Sequence, residues 1–235
     1  MEQPNSQEVI QTLVNAELYS ETHTPNKKNH GQKPLVTISR SFGCNGTEIA
    51  AIVAEKLGVQ IYNKTLLKEV ARTAKTDAEL MARLDERVTT MIEDILASVM
   101  LNKNASKDYF YRAMVKVILS ISHTGGVIVG RGAHLILANH PVFRVRLEGS
   151  IPVTTRNIAE RNNLDPKSAE RLVAQINKER TDFVRKMFTR FNSNSNDLGN
   201  KTFYDFQLNT DLFPPEQAAD LIILAMKTAG FSTTS

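Results

Sequence analysis

The sequence predicts a three-layer α/β domain: a parallel sheet with helices on both faces and a helical insertion between its second and third strands. Three observations carry this. Short apolar runs (LVTI from Leu35, VIV at 127–129, VFRVRL at 142–147) alternate with segments of three-and-four periodicity. The first run leads through a glycine-bearing loop into a helix and then a second strand, a unit that joins parallel neighbours. Hydrophobic content of 41% and charged content of 23% are those of a globular chain with ample core.

Taken in order, residues 1–33 read as a peripheral tail. Val9, Ile10, Leu13 and Val14 share one face of a short helix, followed by a polar tether rich in breakers. The domain is expected over 34–235, opening with LVTI as a buried strand. In the helix after the loop, Ile49, Ile52, Val53 and Leu57 share a face, and Gly58 stands where a left-handed cap would end it. VQIY, 59–62, is the second strand. The insertion, about 63–123, reads as helical. Thr76 and Glu79 form a capping box ahead of an apolar stripe from Met81 to Val99, and another helix spans about 107–123. VIV and VFRVRL are both expected to be fully buried strands. Asp165-Pro166 opens a helix running to about Met187, with Asp as cap and Pro at the first position. NSNSNDLGNK, 192–201, is a polar loop and YDFQLNT, 204–210, the last strand. The helix after Pro214-Pro215 is expected to pack through Leu221, Ile222 and Ala225.

Composition removes several classes of function. No run approaches the roughly 18 apolar residues of a membrane span. A single cysteine, Cys44, excludes an internal disulfide and a cysteine-based zinc cage. MEQPNSQEVIQ lacks a basic-then-apolar leader, so a cytoplasmic protein is expected. The net charge of +4 is concentrated: Arg144 to Lys201 holds twelve Lys/Arg against seven Asp/Glu. A local basic field points to an anionic ligand, whether nucleotide, nucleic acid or acidic lipid. The five histidines show no metal spacing, and His134 is expected to be a satisfied turn residue.

SRSFGCNGTE, from Ser39, has the layout of a phosphate-binding loop. Backbone N–H groups over Ser41–Thr47 can form an anion-holding nest at the positive end of a helix. Gly43 and Gly46 permit close approach, and Asn45 tolerates a left-handed conformation. Thr47 stands where a hydroxyl would meet magnesium. The loop lacks the lysine that such sites aim at the β- and γ-phosphates. Arg40 either supplies that charge or pairs with Glu48 as a surface arginine.

Two further arginines break their surroundings. Arg180 falls inside the apolar stripe Leu172, Ile176, Phe183, Met187. It needs an acid, a ligand phosphate or a route to water by snorkelling. Arg131 sits between Gly130 and Gly132 just past a strand, which is either a plain turn or the ligand side of the sheet. Arg156 and Arg161 are five apart on the next helix and cannot point the same way. FVRKMFTRF, 183–191, interleaves aromatic and basic residues, but an amphipathic helix end explains it as well.

With these residues in place, the chain resembles the cytidylate kinase-like family, a branch of the P-loop nucleoside monophosphate kinases without the Walker lysine. The likeness runs from about Leu35 to Met226. It rests on ISR-x-x-G-x-x-G from Ile38 to Gly46, AEKLG-x-x-x-Y ending at Tyr62, and VIVGRGAHLIL. Arg156 after the fourth strand, the run Asn177 to Arg180, and YDFQLNTD complete it. The resemblance implies a parallel five-stranded core, ATP phosphates at 40–47, an acceptor nucleotide held by the insertion, and a lid around 150–195. By position it implies that Arg131 contacts the acceptor phosphate, that Arg156 and Arg180 are lid arginines, and that Asn63 and Lys64 flank the acceptor.

The departures are specific. Gly46 stands where the lysine would be, and Asn45 replaces the glycine before it. Val129 and Asn177 replace acids, and Thr47 replaces an arginine common in the branch. Thr47 is then the one expected magnesium ligand. The expected activity is ATP-dependent phosphorylation of a nucleoside monophosphate or similar small acceptor, with Arg40, Arg131 and Arg180 catalytic. Ser41, Gly43, Asn45, Gly46 and Thr47 would hold ATP, while Asn63, Lys64, Arg131, Arg156 and Arg180 would hold the acceptor. A catalytically inactive nucleotide sensor is the alternative, and a nucleic-acid-binding module the third reading. Expected partners are nucleotides rather than a membrane or nucleic acid, and Met81–Val99 is long enough to pair two copies into a homodimer.

Overall fold

A computed structural model of the chain describes residues 33–66, 105–191 and 203–233, with side chains throughout except at 105–113 and 187–191. The expected tail, the capping-box helix with its pairing surface, and the 192–201 loop lie outside the described residues. The strands are β1 (Leu35–Arg40), β2 (Ile61–Tyr62), β3 (Gly126–Val129), β4 (Phe143–Glu148) and β5 (Phe206–Asn209). The helices are α1 (Gly46–Leu57), α2 (Ala105–Thr124), α3 (Ala133–Ile136), α4 (Ile151–Asn162), α5 (Pro166–Phe191) and α6 (Pro215–Thr228). All five strands run parallel in one sheet, in the order β2-β3-β1-β4-β5.

Central β1 feeds α1 and then β2 on one side, while β4 lies on its other side. The chain therefore reverses direction across the sheet at β1, and a crevice opens beyond the strands' carboxyl ends there. The two helix boundaries read most clearly from sequence have the expected local chemistry. Gly58 ends α1 at φ 64°, with its N–H returned to the last turn. Asp165 Oδ1 accepts from the N–H groups of Lys167 (3.1 Å) and Ser168 (3.0 Å) to start α5.

One sheet face is dry. Val36 and Ile38 of β1, with Phe143, Val145 and Leu147 of β4, pack against α1 and α6. In α6 the buried stripe is Ala218, Ala219, Ile222 and Met226. Of the residues expected to pack, Ile222 is in it, whereas Leu221 and Ala225 are only half-buried. Ala225 nevertheless packs against this core from the side, while Leu221 is not part of it.

The other face differs between the halves of the sheet. On the β1 side α3 lies against β1 and α2 packs beside α3, with Met114, Ile118 and Ile121 fully buried. Beyond β1 the expectation of a fully buried strand at VFRVRL fails. β4 alternates, with Phe143, Val145 and Leu147 buried while Arg144 and Arg146 are half-buried and Glu148 is exposed. β5 alternates the same way, with Gln207 and Asn209 exposed. A strand interior on both faces would be apolar throughout. These two have one polar face because α5 spans it at a distance.

Candidate functional site

β1 ends at Arg40, and the chain turns through Ser41 to Asn45 into α1. Gly43 (φ 88°) and Asn45 (φ 56°) are left-handed, and Asn45 serves as the N-terminal boundary of α1. The α4–α5 pair closes over this loop. A Cβ on Gly43 would lie 2.6 Å from the Thr154 carbonyl oxygen, so only glycine lets α4 come so near. Asn157 Nδ2 donates to the Gly43 carbonyl (2.9 Å), and Arg161 donates to Asn45 Oδ1 (2.8 Å). The Phe42 N–H donates to Asn177 Oδ1 at 2.7 Å. Ser41 ties the loop to β4: its N–H donates to the Leu147 carbonyl (3.0 Å), and its hydroxyl accepts from the Gly149 N–H (3.2 Å).

The place of the missing lysine is filled. A Cβ on Gly46 would sit 2.7 Å from Arg40 Cβ and 2.8 Å from Arg40 Cγ. The Arg40 stem thus crosses the spot from which a lysine would project. Its guanidinium continues toward Gly130, where a Cβ would collide with one of its terminal nitrogens. Arg40 Nε is buried without a hydrogen-bond partner among the described residues. The alternative pairing with Glu48 does not form, and Glu48 is exposed. Burial, with the positive charges of Arg180, Arg131 and Arg146 around it, holds the Arg40 pKa down to about 10. It remains charged at neutral pH, and an anion would relieve it.

That anion has a place to bind. A cavity of about 1090 Å³ opens between the sheet and α5, and Arg40, Arg131, Arg146 and Arg180 all line it. Its floor follows from register. Ser39 is paired with Arg146 across β1 and β4, and Arg146 with Gln207 across β4 and β5. Residues in register on parallel strands share a face, so Ser39, Arg146 and Gln207 form one polar row. Its roof is α5, through Ile176, Asn177, Arg180, Phe183 and Val184. Among the described residues, six cationic side chains line it (these four arginines, Arg185 and Lys64) with two acids, Glu148 and Glu179. Glu148 is engaged by Arg146 at 3.0 Å.

Two arginines are aimed by unusual means. Gly130, Arg131 and Gly132 all have positive φ (79°, 59° and 68°). A non-glycine residue held there costs on the order of 1 kcal/mol, an expense typical of places where a side chain must point one way. The Arg131 guanidinium lies over the Phe183 ring at 5.4 Å. Arg180 donates to the Arg40 carbonyl (3.0 Å) and covers the Phe42 ring at 5.4 Å. No acid of the protein pairs with Arg180 among the described residues, and burial lowers its pKa. The charge on the packing stripe is there because this stripe roofs the cavity.

Arg40, Arg131, Arg180 and Lys64 therefore meet in one cavity. Arg156 is exposed on α4 and does not line it; its neighbour in the pair, Arg161, instead reaches the loop. Thr47 is exposed on the first turn of α1. Asn63 caps a turn, accepting from the N–H groups of Thr65 (2.9 Å) and Leu66 (3.0 Å). Gly43, Asn45 and Gly46 shape the loop without lining the cavity. Arg146, Tyr204 and the ring of Phe42 line the site without having been singled out. The alternation in FRVRLE was the available signal for Arg146.

His134 is buried and satisfied, as expected: Ser39 Oγ lies 3.3 Å from Nδ1 and Tyr204 Oη 3.3 Å from Nε2. Burial first, then Arg146 and Arg144, lowers its pKa to about 4, so the ring is neutral. Among the described residues no three His, Cys, Asp or Glu side chains cluster as metal ligands, and no helix is long and apolar enough to cross a membrane.

Comparison with known proteins gives the lineage. A family model described as the cytidylate kinase-like family matches residues 35–212. No curated protein sequence matches the chain. Among solved structures, it is similar to an uncharacterized protein from Eubacterium ventriosum ATCC 27560, with a TM-score of 0.66 at 21% identity over 84% of this chain and 99% of that one. It also matches shikimate kinase from Bacteroides thetaiotaomicron, with a TM-score of 0.44 at 12% identity over 84% of this chain and 99% of that one.

Proposed function

This chain belongs to the cytidylate kinase-like family, and from that premise we propose that it transfers a phosphoryl group from ATP to a nucleoside monophosphate or similar small acceptor. One observation carries the reading: Arg40, Arg131 and Arg180 converge on one cavity, and Arg40 has no carboxylate to neutralise it among the described residues. Phosphoryl transfer requires little covalent help from a protein. It requires positioning, exclusion of water and positive charge over the transferring group. Arg40 supplies charge from the β1 side, Arg131 from the strained turn after β3, and Arg180 from the roof. The α4–α5 pair covers the loop, where Asn157, Arg161 and Asn177 hold it.

ATP fits the site as substrate, because the arginines match a polyphosphate in charge and can contact it in pairs. Magnesium fits less well. Thr47 offers an exposed hydroxyl, but among the described residues no three His, Cys, Asp or Glu side chains gather around any point as metal ligands, and a protein magnesium site commonly has one or two carboxylates. No step is assigned to the ion. When carried by a nucleotide, it would supply further charge neutralisation.

The test is ATP consumption with a panel of nucleoside monophosphates, CMP first, with and without magnesium. Arg131→Ala and Arg180→Ala should each lower turnover by roughly 10²–10³-fold. Unchanged turnover in both variants removes the mechanism. One observation favours a second reading, a nucleotide sensor without turnover: Asn177 already occupies the Phe42 N–H, a loop donor that a transferring phosphate would otherwise use. That reading is distinguished by a nucleotide-dependent rise in melting temperature with no product from any acceptor.

A further inference from the structure

The arginines account for the charge of a ligand but not for the two hydroxyls beside them. Ser39 and Tyr204 both line the cavity, and both rest on the same buried imidazole. His134 lies behind them, 3% exposed, on α3. Its ring stacks on Tyr204 with centroids 4.9 Å apart. Tyr204 is fixed from the other side by its neighbour Asp205, which takes Arg144 in a two-pronged ion pair (2.6 and 3.0 Å) and accepts the Arg144 N–H (2.9 Å). The phenol is thus held in place before any ligand arrives.

A neutral imidazole has one donor nitrogen and one acceptor nitrogen. One hydroxyl must therefore donate to the ring, while the other accepts from it. The hydroxyl that donates inward presents a lone pair to the cavity; the one that accepts keeps its own proton to offer. If the ring changes tautomer, the two exchange roles with no change in charge. A fully ionised phosphate has acceptors alone and cannot use the acceptor half of this pair. A group that both donates and accepts can use both halves.

We propose that Ser39 and Tyr204, coupled through His134, form a specificity site for a neutral donor–acceptor group on the ligand whose phosphate the arginines hold. The chemistry is that of a sugar hydroxyl or of a base edge that carries a donor beside an acceptor. Ser39 and Tyr204 are the reading residues, and His134 is a positioning residue. The inference rests on the phosphate-transfer reading only for where the ligand's charge sits.

Calorimetric titration of the full chain with CMP, ribose 5-phosphate and inorganic pyrophosphate tests it. Tyr204→Phe and Ser39→Ala should each weaken CMP about 5–10-fold, the worth of one hydrogen bond, while changing pyrophosphate less than about twofold. Loss with ribose 5-phosphate as well places the sugar hydroxyl at the site, and loss with CMP alone places the base there. On the unaltered protein, the ¹⁵N shifts of His134 should report a change in tautomer balance with CMP and none with pyrophosphate. Equal losses for CMP and pyrophosphate would mean that the hydroxyls only support the cavity's shape, and would overturn the proposal. So would CMP affinity untouched by either variant, or a tautomer balance indifferent to CMP. Failure of the transferase reading appears separately, as absent turnover with the binding discrimination intact.

Discussion

Replacing His134 by glutamine should change how stability depends on pH, in a direction and amount set by where the ring sits. Glutamine keeps a donor and an acceptor for Ser39 and Tyr204 but cannot titrate. In the unfolded chain the imidazole gains a proton near pH 6.5; in the folded protein burial, Arg146 and Arg144 postpone this to about 4. Between these values the unfolded state binds more protons, so acidification favours unfolding. The contribution is fully present above about pH 6.5, is lost as pH falls toward 4, and levels off below. At 1.36 kcal/mol per pH unit, the span corresponds to about 3 kcal/mol. Urea denaturation of both proteins from pH 7.5 to 4 should show the unaltered chain losing about that much relative to His134→Gln. All other titrating groups are common to the two and cancel in the difference. A constant offset between the curves would refute the idea that the fold enforces a neutral ring.

The loop offers two more tests. Gly46→Ala would gain about 1 kcal/mol of helix propensity at an open position, but the contact with the Arg40 stem should turn this into a loss of about 1–3 kcal/mol in urea denaturation. Gly46→Lys should fare no better, so restoring the lysine should not raise turnover; a stable, more active Gly46→Lys variant would show that Arg40 does not occupy that space. Asn177→Ala should free the Phe42 N–H and speed its hydrogen exchange while the Ser41 N–H, bonded to Leu147, stays protected. Equal protection of Phe42 in both proteins would show that α5 does not hold the loop.

Local chemistry was legible wherever one residue's own preferences decided the outcome. Asn45 in a left-handed turn, Gly58 closing α1, Asp165 opening α5 and the GRG turn all follow from steric and hydrogen-bonding properties that neighbours in sequence express. The conflict at Arg180 was legible too, because a charge on an apolar stripe breaks a short-range pattern. The apolar composition of β4 points to full burial, whereas its period of two matches the alternation the fold shows. Whether that second face meets a helix or a cavity depends on how far α5 stands from the sheet, which no local pattern encodes.

The sequence by itself determined the parallel α/β class, the strand–loop–helix unit without a lysine, and the presence of arginines that their surroundings could not satisfy. Tertiary structure alone decided that Arg40 fills the space beside Gly46, that Arg146 joins the cavity while Arg156 does not, and that one histidine serves two hydroxyls. Apart from Arg40 and Gly46, these bring together residues far apart in the chain, such as Ser39 and His134, 95 positions apart. They arise from strand order and register, and a sequence read along its length carries the periodicity of each strand but not which strands lie side by side.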